Sequence, residues 1–303
     1  MAMTLEQLRV FIAVAERQHM TQAAQALHLA QSAVSAAIAQ LEGRHGAKLF
    51  HRVGRGIELT QAGQLFLIEA KAVLARAQAA DLMLSELGGL KRGTLTIQAS
   101  QTIASFWLPR YLVAFRRAHP GVDIRLSIGN TAQAAAAVRA GSAELGFVEA
   151  EVNDPHLISR VLAKDQMIVV VGPQHPWASR KSIKPKDLIE TEWVLREPGS
   201  GTRAVFEKAL SGFGITPASL RIGLELPSNE SVLAAVEAGM GATALSASAA
   251  SAGLDAGLLV HVKLPLPERS FYGLHHGERH LSKAANLLLQ SITAPAPRRK
   301  ARA

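Results

Sequence analysis

Residues 20–43 read Met-Thr-Gln-Ala-Ala-Gln-Ala-Leu-His-Leu-Ala-Gln-Ser-Ala-Val-Ser-Ala-Ala-Ile-Ala-Gln-Leu-Glu-Gly, two short helical patterns broken at His28-Leu29-Ala30. Ala23, Ala24 and Leu27 share one face of the first. In the second, Val34, Ile38 and Leu41 recur at spacings of four and three, which leaves Gln31, Ser32, Ser35, Ala36 and Gln40 off the apolar stripe. A three-residue break forces a steep turn, and a second helix with small and amide side chains outward suits entry into a major groove. Ser and Gln donate and accept at base edges, and Ala approaches a thymine methyl. These residues alone fit an Ala-rich helical hairpin equally well, so the flanks decide.

Thr4 and Gln7 have capping-box spacing, and Leu8, Phe11, Ile12 and Ala15 mark one face of a helix ahead of the pair. After it, Arg44, Lys48, Arg52 and Arg55 accumulate with no acid between Arg44 and Ile57. Leu49-Phe50 and Ile57-Glu58-Leu59 bracket Val53-Gly54-Arg55-Gly56, a hairpin with a basic tip. A basic hairpin directly after two such helices is expected to lie on phosphates as a wing, with Thr21, Gln31, Ser32, Ser35, Gln40, Arg52 and Arg55 as the DNA-binding residues. Thr60 caps a long helix on which Phe66, Ala70, Val73, Ala77, Ala80, Leu84 and Leu87 form a heptad seam, closed by Gly88-Gly89. Such a seam is hidden by a second copy, giving a homodimer, or by the domain that follows.

The 303 residues allow two or three domains, and the absence of cysteine excludes disulfides, Cys-ligated zinc and a thiol nucleophile. Glu6 stands where an export signal needs a basic stretch, and no apolar run reaches the about 20 residues of a membrane helix, so a cytoplasmic protein with no membrane partner is expected. The formal charge of +9 favours a polyanionic partner.

Residues 4–63 resemble the DNA-binding region of the LysR-type transcriptional regulators. The matching motifs are Leu-x-x-Leu-x-x-Phe, Ala-Ala-Gln-Ala-Leu, Gln-Ser-Ala-Val-Ser, Ile-x-x-Leu-Glu, Gly-x-x-Leu-Phe-x-Arg and Leu-Thr-x-Ala-Gly. The resemblance implies a winged helix-turn-helix over residues 1–59 and a linker and dimerisation helix over 60–92. Behind these it implies an α/β effector domain over 93–292, built as two Rossmann-like lobes like a periplasmic binding protein, in a homotetramer on promoter DNA. By the same resemblance the chain crosses twice between lobes, the first comprising 93–164 plus 268–292 and the second 165–267. Two departures stand out. Ala36 and Ala37 follow Ser35 where many relatives carry a basic residue, so base reading leans on Gln31, Ser32, Ser35 and DNA shape. Ala30 replaces a frequent Ser at the turn, removing a helix cap worth about 1 kcal/mol or moving it to a neighbour.

From Gly93 the period changes: Thr94–Ala99, Val122–Ile128 and Leu145–Val148 read as strands alternating with helices, the pattern of a parallel sheet. The unit repeats, since Asn130-Thr131 and Ser228-Asn229-Glu230-Ser231 each open a helix that ends in Ala-Gly before a strand. Residues 293–303, Pro-rich and basic, read as a disordered tail.

Ligands of open α/β sheets sit beyond strand carboxyl ends, at helix N-termini. Those positions here are Ser100, Gln101 and Thr102; Asn130 and Thr131; Gly199, Ser200, Gly201, Thr202 and Arg203; and Asn229. In Glu-Pro-Gly-Ser-Gly-Thr-Arg the glycines allow close approach, Thr202 donates and Arg203 pairs with an anion. That segment lacks the Lys-Ser/Thr ending of a P-loop, which excludes nucleotide hydrolysis. It resembles the loop bordering the effector cleft in LysR-type regulators of sulfur assimilation and carbon-dioxide fixation, which implies a small inorganic anion or phosphorylated metabolite as effector. The same subgroup places a Glu where Glu149 follows Gly-Phe-Val, and its charge would oppose a highly charged anion.

His275, His276 and His280 with Glu278 do not form a metal set, since adjacent strand residues face opposite ways. No paired carboxylates or nucleophile elbow stands out, so neither catalysis nor a cofactor is expected. The rival class is a solute-binding protein of the transport type with a helical extension, which accounts for two lobes but leaves the basic wing without a purpose. A porphobilinogen-type transferase would need a Cys to anchor its cofactor.

Overall fold

Thr4 starts the first helix, α1 (Leu5–Arg17): its hydroxyl accepts the Gln7 N–H at 3.2 Å while Gln7 Oε1 accepts the Thr4 N–H at 3.1 Å. The computed structural model that shows this describes residues 3–54, 56–86, 93–180 and 182–293, without the side chains of 78, 79 and 82–86. Arg55, Gly88-Gly89, the 87–92 end of the expected linker and the basic tail beyond residue 293 lie outside the described residues, as does the seam's Leu87 and the side chain of Leu84.

Helices α2 (Met20–Ala26) and α3 (Gln31–His45) follow, with His28 at φ +55° making the sharp turn between them. Ala30 is the N-cap of α3 and makes no side-chain cap bond, so the departure at this position removes that cap. The stripe Val34, Ile38 and Leu41 is buried with Leu8, Phe11, Ala23 and Ala24. Burial of about 2 kcal/mol per large apolar side chain therefore fixes which face of α3 remains outward.

Strands β1 (Phe50–Val53) and β2 (Gly56–Leu59) pair antiparallel from Phe50–Leu59 to Val53–Gly56, forming the wing. Helix α4 (Gln61–Glu86) is capped by Thr60, whose Oγ1 accepts the Gly63 N–H at 3.0 Å. The expected seam on α4 is only partly free. Phe66 packs tilted against Phe11, ring centroids 4.7 Å apart, and Ala70 is buried in the same core. Leu65, Ile68 and Val73 are the exposed large apolar residues of this helix among those described. The seam is therefore split: Phe66 and Ala70 face the helix's own domain, which produces the same 3.5-residue spacing, while Val73 is exposed.

The second unit holds two five-stranded sheets. Strands β3 (Gly93–Ser100), β4 (Val122–Gly129), β5 (Leu145–Val148) and β6 (Leu157–Asp165) belong to the first, with helices α5 (Pro109–Ala118) and α6 (Thr131–Ala140) between them. The chain passes at Gln166 into the second sheet, which holds β7 (Met167–Val171), β8 (Glu192–Arg196), β9 (Arg221–Leu226), β10 (Ala242–Ser246) and β11 (Val260–Val262). Helices α7 (Gly201–Gly212), α8 (Asn229–Glu237) and α9 (Ala247–Asp255) connect these strands. The chain then returns through β12 (Arg269–His276) and α10 (Lys283–Thr293).

Strand order is β4-β3-β5-β12-β6 in one lobe and β11-β7-β10-β8-β9 in the other. Pairing is parallel within β4-β3-β5 and β10-β8-β9, but β12 runs antiparallel to β5 and β6, and β7 to β10 and β11. The sheets are mixed rather than parallel, because the strands that close each lobe arrive from the crossovers and not from βα repeats. Trp107 packs edge-on against Phe271 in one core, and buried Trp193 donates to the Leu188 carbonyl at 2.7 Å in the other. Among the described residues no helix is long and apolar enough to cross a membrane.

Candidate functional site

Two groups of polar residues stand where the sequence directs attention. On the helix-turn-helix, Thr21, Gln31, Ser32, Ser35, Ala36 and Gln40 are exposed, as is Arg52 on the wing. Gln40 is partly committed, since its Oε1 accepts from Gln7 Nε2 at 2.8 Å. A residue the sequence reading passed over sits behind this face. Buried Glu42 accepts the Leu49 N–H at 2.8 Å and the Phe50 N–H at 3.1 Å through Oε1, and Lys48 Nζ at 2.7 Å through Oε2. Burial alone pushes the Glu42 carboxyl up, but the bonds from Lys48, Leu49 and Phe50 outweigh it and hold the group below the usual carboxylate value.

In the two-lobed unit, the N-termini of α6, α7 and α8 and the segment after β3 converge. Asn229 Nδ2 donates to Thr102 Oγ1 at 3.1 Å, and the Asn229 N–H donates to Gln101 Oε1 at 2.6 Å. Gln101 Nε2 donates to Glu230 at 2.6 Å, and Asn130 Nδ2 to Glu197 at 3.2 Å. Gly201 lies so close to the other lobe that a Cβ there would meet Thr131 Oγ1 at 2.4 Å and Glu149 Oε2 at 3.0 Å. Ser200 caps α7, and Gly199, just before it, has φ +88°, a conformation glycine adopts without strain.

Two arginines hold the cluster together. Arg196 Nη1 donates to Asn229 Oδ1 at 2.7 Å, and its Nε and Nη2 reach Glu197 at 2.8 and 3.1 Å. Arg269, only 3% exposed, donates through Nε to Asp165 Oδ2 at 2.6 Å and through Nη1 to Thr202 Oγ1 at 3.0 Å. Ser246 donates to the second Asp165 oxygen at 2.9 Å. Among the described residues, two buried side-chain atoms have no protein partner: Ser100 Oγ and Arg269 Nη2. Both residues belong to the lobe I sheet, at the carboxyl end of β3 and the start of antiparallel β12, hence at the edge where ligands bind in open α/β sheets.

Arg203 corrects the sequence reading. Its guanidinium bonds Glu207 at 2.7 Å, the Arg196 carbonyl at 3.0 Å and Glu225, so it braces α7 against β9 and has been taken by internal acids rather than offered to an anion. Burial disfavours its charged form, but the bonds to Glu207 and Glu225 and their charges outweigh that and raise its pKa. Glu207 at the i+4 position was the available warning. Arg196 and Arg269 were missed, although a charge ending the apolar Trp193-Val194-Leu195 run and one opening Phe271-Tyr272-Gly273-Leu274 were both readable.

The family described as "Bacterial regulatory helix-turn-helix protein, lysR family" matches residues 5–64, and "LysR substrate binding domain" matches residues 88–296. The chain belongs to the LysR family. It is a DNA-binding transcription regulator, which sets aside the transport-type rival. An uncharacterized HTH-type transcriptional regulator, YeiE of Escherichia coli K12, is 35% identical over 95% of this chain and 97% of its own length. The HTH-type transcriptional regulator CbbR of Rhodospirillum rubrum is 33% identical over 96% of both. The RuBisCO operon transcriptional regulator of Allochromatium vinosum is 31% identical over 98% of both, which supports the carbon-fixation subgroup. Full-length CbnR in complex with its target DNA shares the fold at a TM-score of 0.69, with 23% identity over 96% of this chain and 99% of that one.

Proposed function

We propose that this LysR regulator binds promoter DNA as a homodimer or a tetramer and switches in response to a small oxyanion held between the lobes at Ser100, Arg269, Thr102, Thr131, Ser200, Thr202 and Asn229. The observation that carries the anion reading is the pair of buried donors without protein partners, Ser100 Oγ–H and Arg269 Nη2, in a cluster whose other arginine donors are bonded. A buried unbonded donor costs about 1–3 kcal/mol, and an oxyanion accepting from both recovers it. Thr202 accepts from Arg269 and keeps its own hydroxyl proton for a ligand. Buried Glu149, with one long bond from Thr131 at 3.4 Å, limits the negative charge that fits beside Gly201 and accepts from a ligand oxygen that bears a proton.

Operator reading follows from α3 in the major groove with Arg52 and the wing tip on phosphates, and the protein works in the cytoplasm, where that DNA is. Leu65, Ile68 and Val73 on α4 are the apolar residues offered to a second copy. Ligand closing the lobes changes the spacing of the paired DNA-binding units, and tetramer formation bends the DNA between sites. Thermal-shift titration with sulfite, sulfate, phosphate and sugar phosphates tests the reading. At least one anion raises Tm in the wild type, and Ser100→Ala, which removes a partnerless hydroxyl, loses that shift while keeping its fold. An equal shift in Ser100→Ala removes the assignment.

A further inference from the structure

Residues Lys48–Phe50 join the recognition helix to the wing, and both of their backbone edges are held by neighbouring elements. On the amide side, Glu42 of α3 accepts the Leu49 and Phe50 N–H groups from one oxygen and the Lys48 ammonium on the other. On the carbonyl side, Thr60 Oγ1 donates to the Lys48 carbonyl at 2.7 Å and the Thr60 N–H donates to the Leu49 carbonyl at 3.0 Å. Thr60 is also the cap of α4, and Gly63 packs so closely on this strand that a Cβ would meet the Leu49 oxygen at 2.1 Å. Three residues are thus clamped between the C-terminal half of the helix that reads bases and the first turn of the helix that leads away from the DNA-binding unit.

We propose that Glu42 is a positioning residue for DNA binding, whose carboxylate fixes the first strand of the wing in register with α3, so that Arg52 meets phosphate at the moment the recognition helix meets bases. The arrangement has the chemistry this needs. A buried carboxylate accepting two backbone N–H groups and an ammonium is a stiff joint, since loosening it strands a charge and two amides. The wing is a two-stranded hairpin, marginal by itself, and inherits its direction from whatever holds its first strand. At the joint Phe50 is buried, its ring centroid 5.4 Å from that of Phe11, while His51, Arg52 and Val53 are exposed. The second strand is held separately, by the Ile57 N–H bonding the Gln18 carbonyl at 3.4 Å and by Ile57 and Leu59 packing on the core, so the joint sets the first strand, which carries Arg52.

This inference rests on the wing lying on phosphates, and the test separates the two. Affinity for a promoter fragment is measured against salt for the full-length wild type and for Arg52→Ala, Glu42→Gln, Glu42→Ala and the Glu42→Ala/Arg52→Ala double variant, well below each Tm. Arg52→Ala is expected to flatten the slope of log K against log salt by about one. Glu42→Ala is expected to flatten it at least as much, with no further change in the double variant; Glu42→Gln, which keeps an acceptor for the two N–H groups, flattens it less. If Arg52→Ala flattens the slope but neither Glu42 variant does, or if the effects of Glu42→Ala and Arg52→Ala add in full, Glu42 serves stability alone and the proposal falls. An unchanged slope in Arg52→Ala removes the wing reading and the proposal with it. Should Glu42→Ala fail to fold, the slope of Glu42→Gln decides.

Discussion

Arg269 on β12 donates to Thr202 Oγ1 on α7 across 3.0 Å, joining a strand of one lobe to a helix of the other. The same guanidinium bonds Asp165, the last residue of β6 before the chain crosses between sheets. A charge shared between lobe, crossover and candidate ligand is well placed to report occupancy. Thr202→Ala leaves a second guanidinium nitrogen without a partner and is expected to cost about 1–3 kcal/mol. It should abolish the effector response in a promoter-binding assay while operator affinity without effector stays at the wild-type value. A full response would reduce Thr202 to a structural cap.

Arg203→Ala separates bracing from binding. Because Arg203 is partly exposed and tied to Glu207 and Glu225, its loss should cost about 1–2 kcal/mol in urea unfolding, after allowance for solvent screening. Anion affinity measured by calorimetry should change little, whereas an anion-contacting arginine would lose most of it.

Gly201→Ala tests the close approach of the α7 N-terminus to Thr131 and Glu149. The added methyl must displace a buried β-branched side chain, and overpacking of this kind costs about 1–3 kcal/mol. The expected outcome is a lowered Tm together with loss of the anion-induced shift; a wild-type Tm would show that the lobes part freely at this point.

The sequence made the helix-turn-helix and wing legible because their burial is local: Val34, Ile38 and Leu41 are spaced on one helix, and turn chemistry marks the hairpin. It picked out Ser100, Thr102, Thr131, Thr202 and Asn229 by the rule that ligands sit beyond strand ends, and the structure buries all five. It could not assign partners to arginines. Glu207, one turn on from Arg203, was legible, but Glu225 on β9 was not, and Arg269 looked ordinary because Asp165 is far away in sequence. The antiparallel β6, β7, β11 and β12 escaped for a similar reason: the pattern of a strand records its faces, not the direction of its neighbour.

His175 gives a pH dependence. Its Nδ1 accepts the Trp177 N–H at 3.1 Å and Nε2 lies 2.8 Å from Thr191 Oγ1, an arrangement that needs the neutral ring. Burial first, and then the Arg180 charge, lower its pKa below the ordinary 6.5. Below about pH 6.5 the unfolded chain binds a proton that the folded one resists, so this contribution is fully present above that pH and is lost as pH falls through the depressed folded value. Urea unfolding between pH 8 and 5 should show wild-type stability falling more steeply on the acid side than that of His175→Gln; parallel curves would dismiss the effect.

The central claim is that α3 and the wing grip duplex DNA, and footprinting of the region upstream of the gene tests it most directly. The account predicts two protected half-sites on one face of the duplex, separated by one helical turn or a multiple of it, with protection lost when Gln31, Ser32 and Ser35 are all replaced by Ala. Equal protection by the triple variant, or none by the wild type at any position, would contradict it.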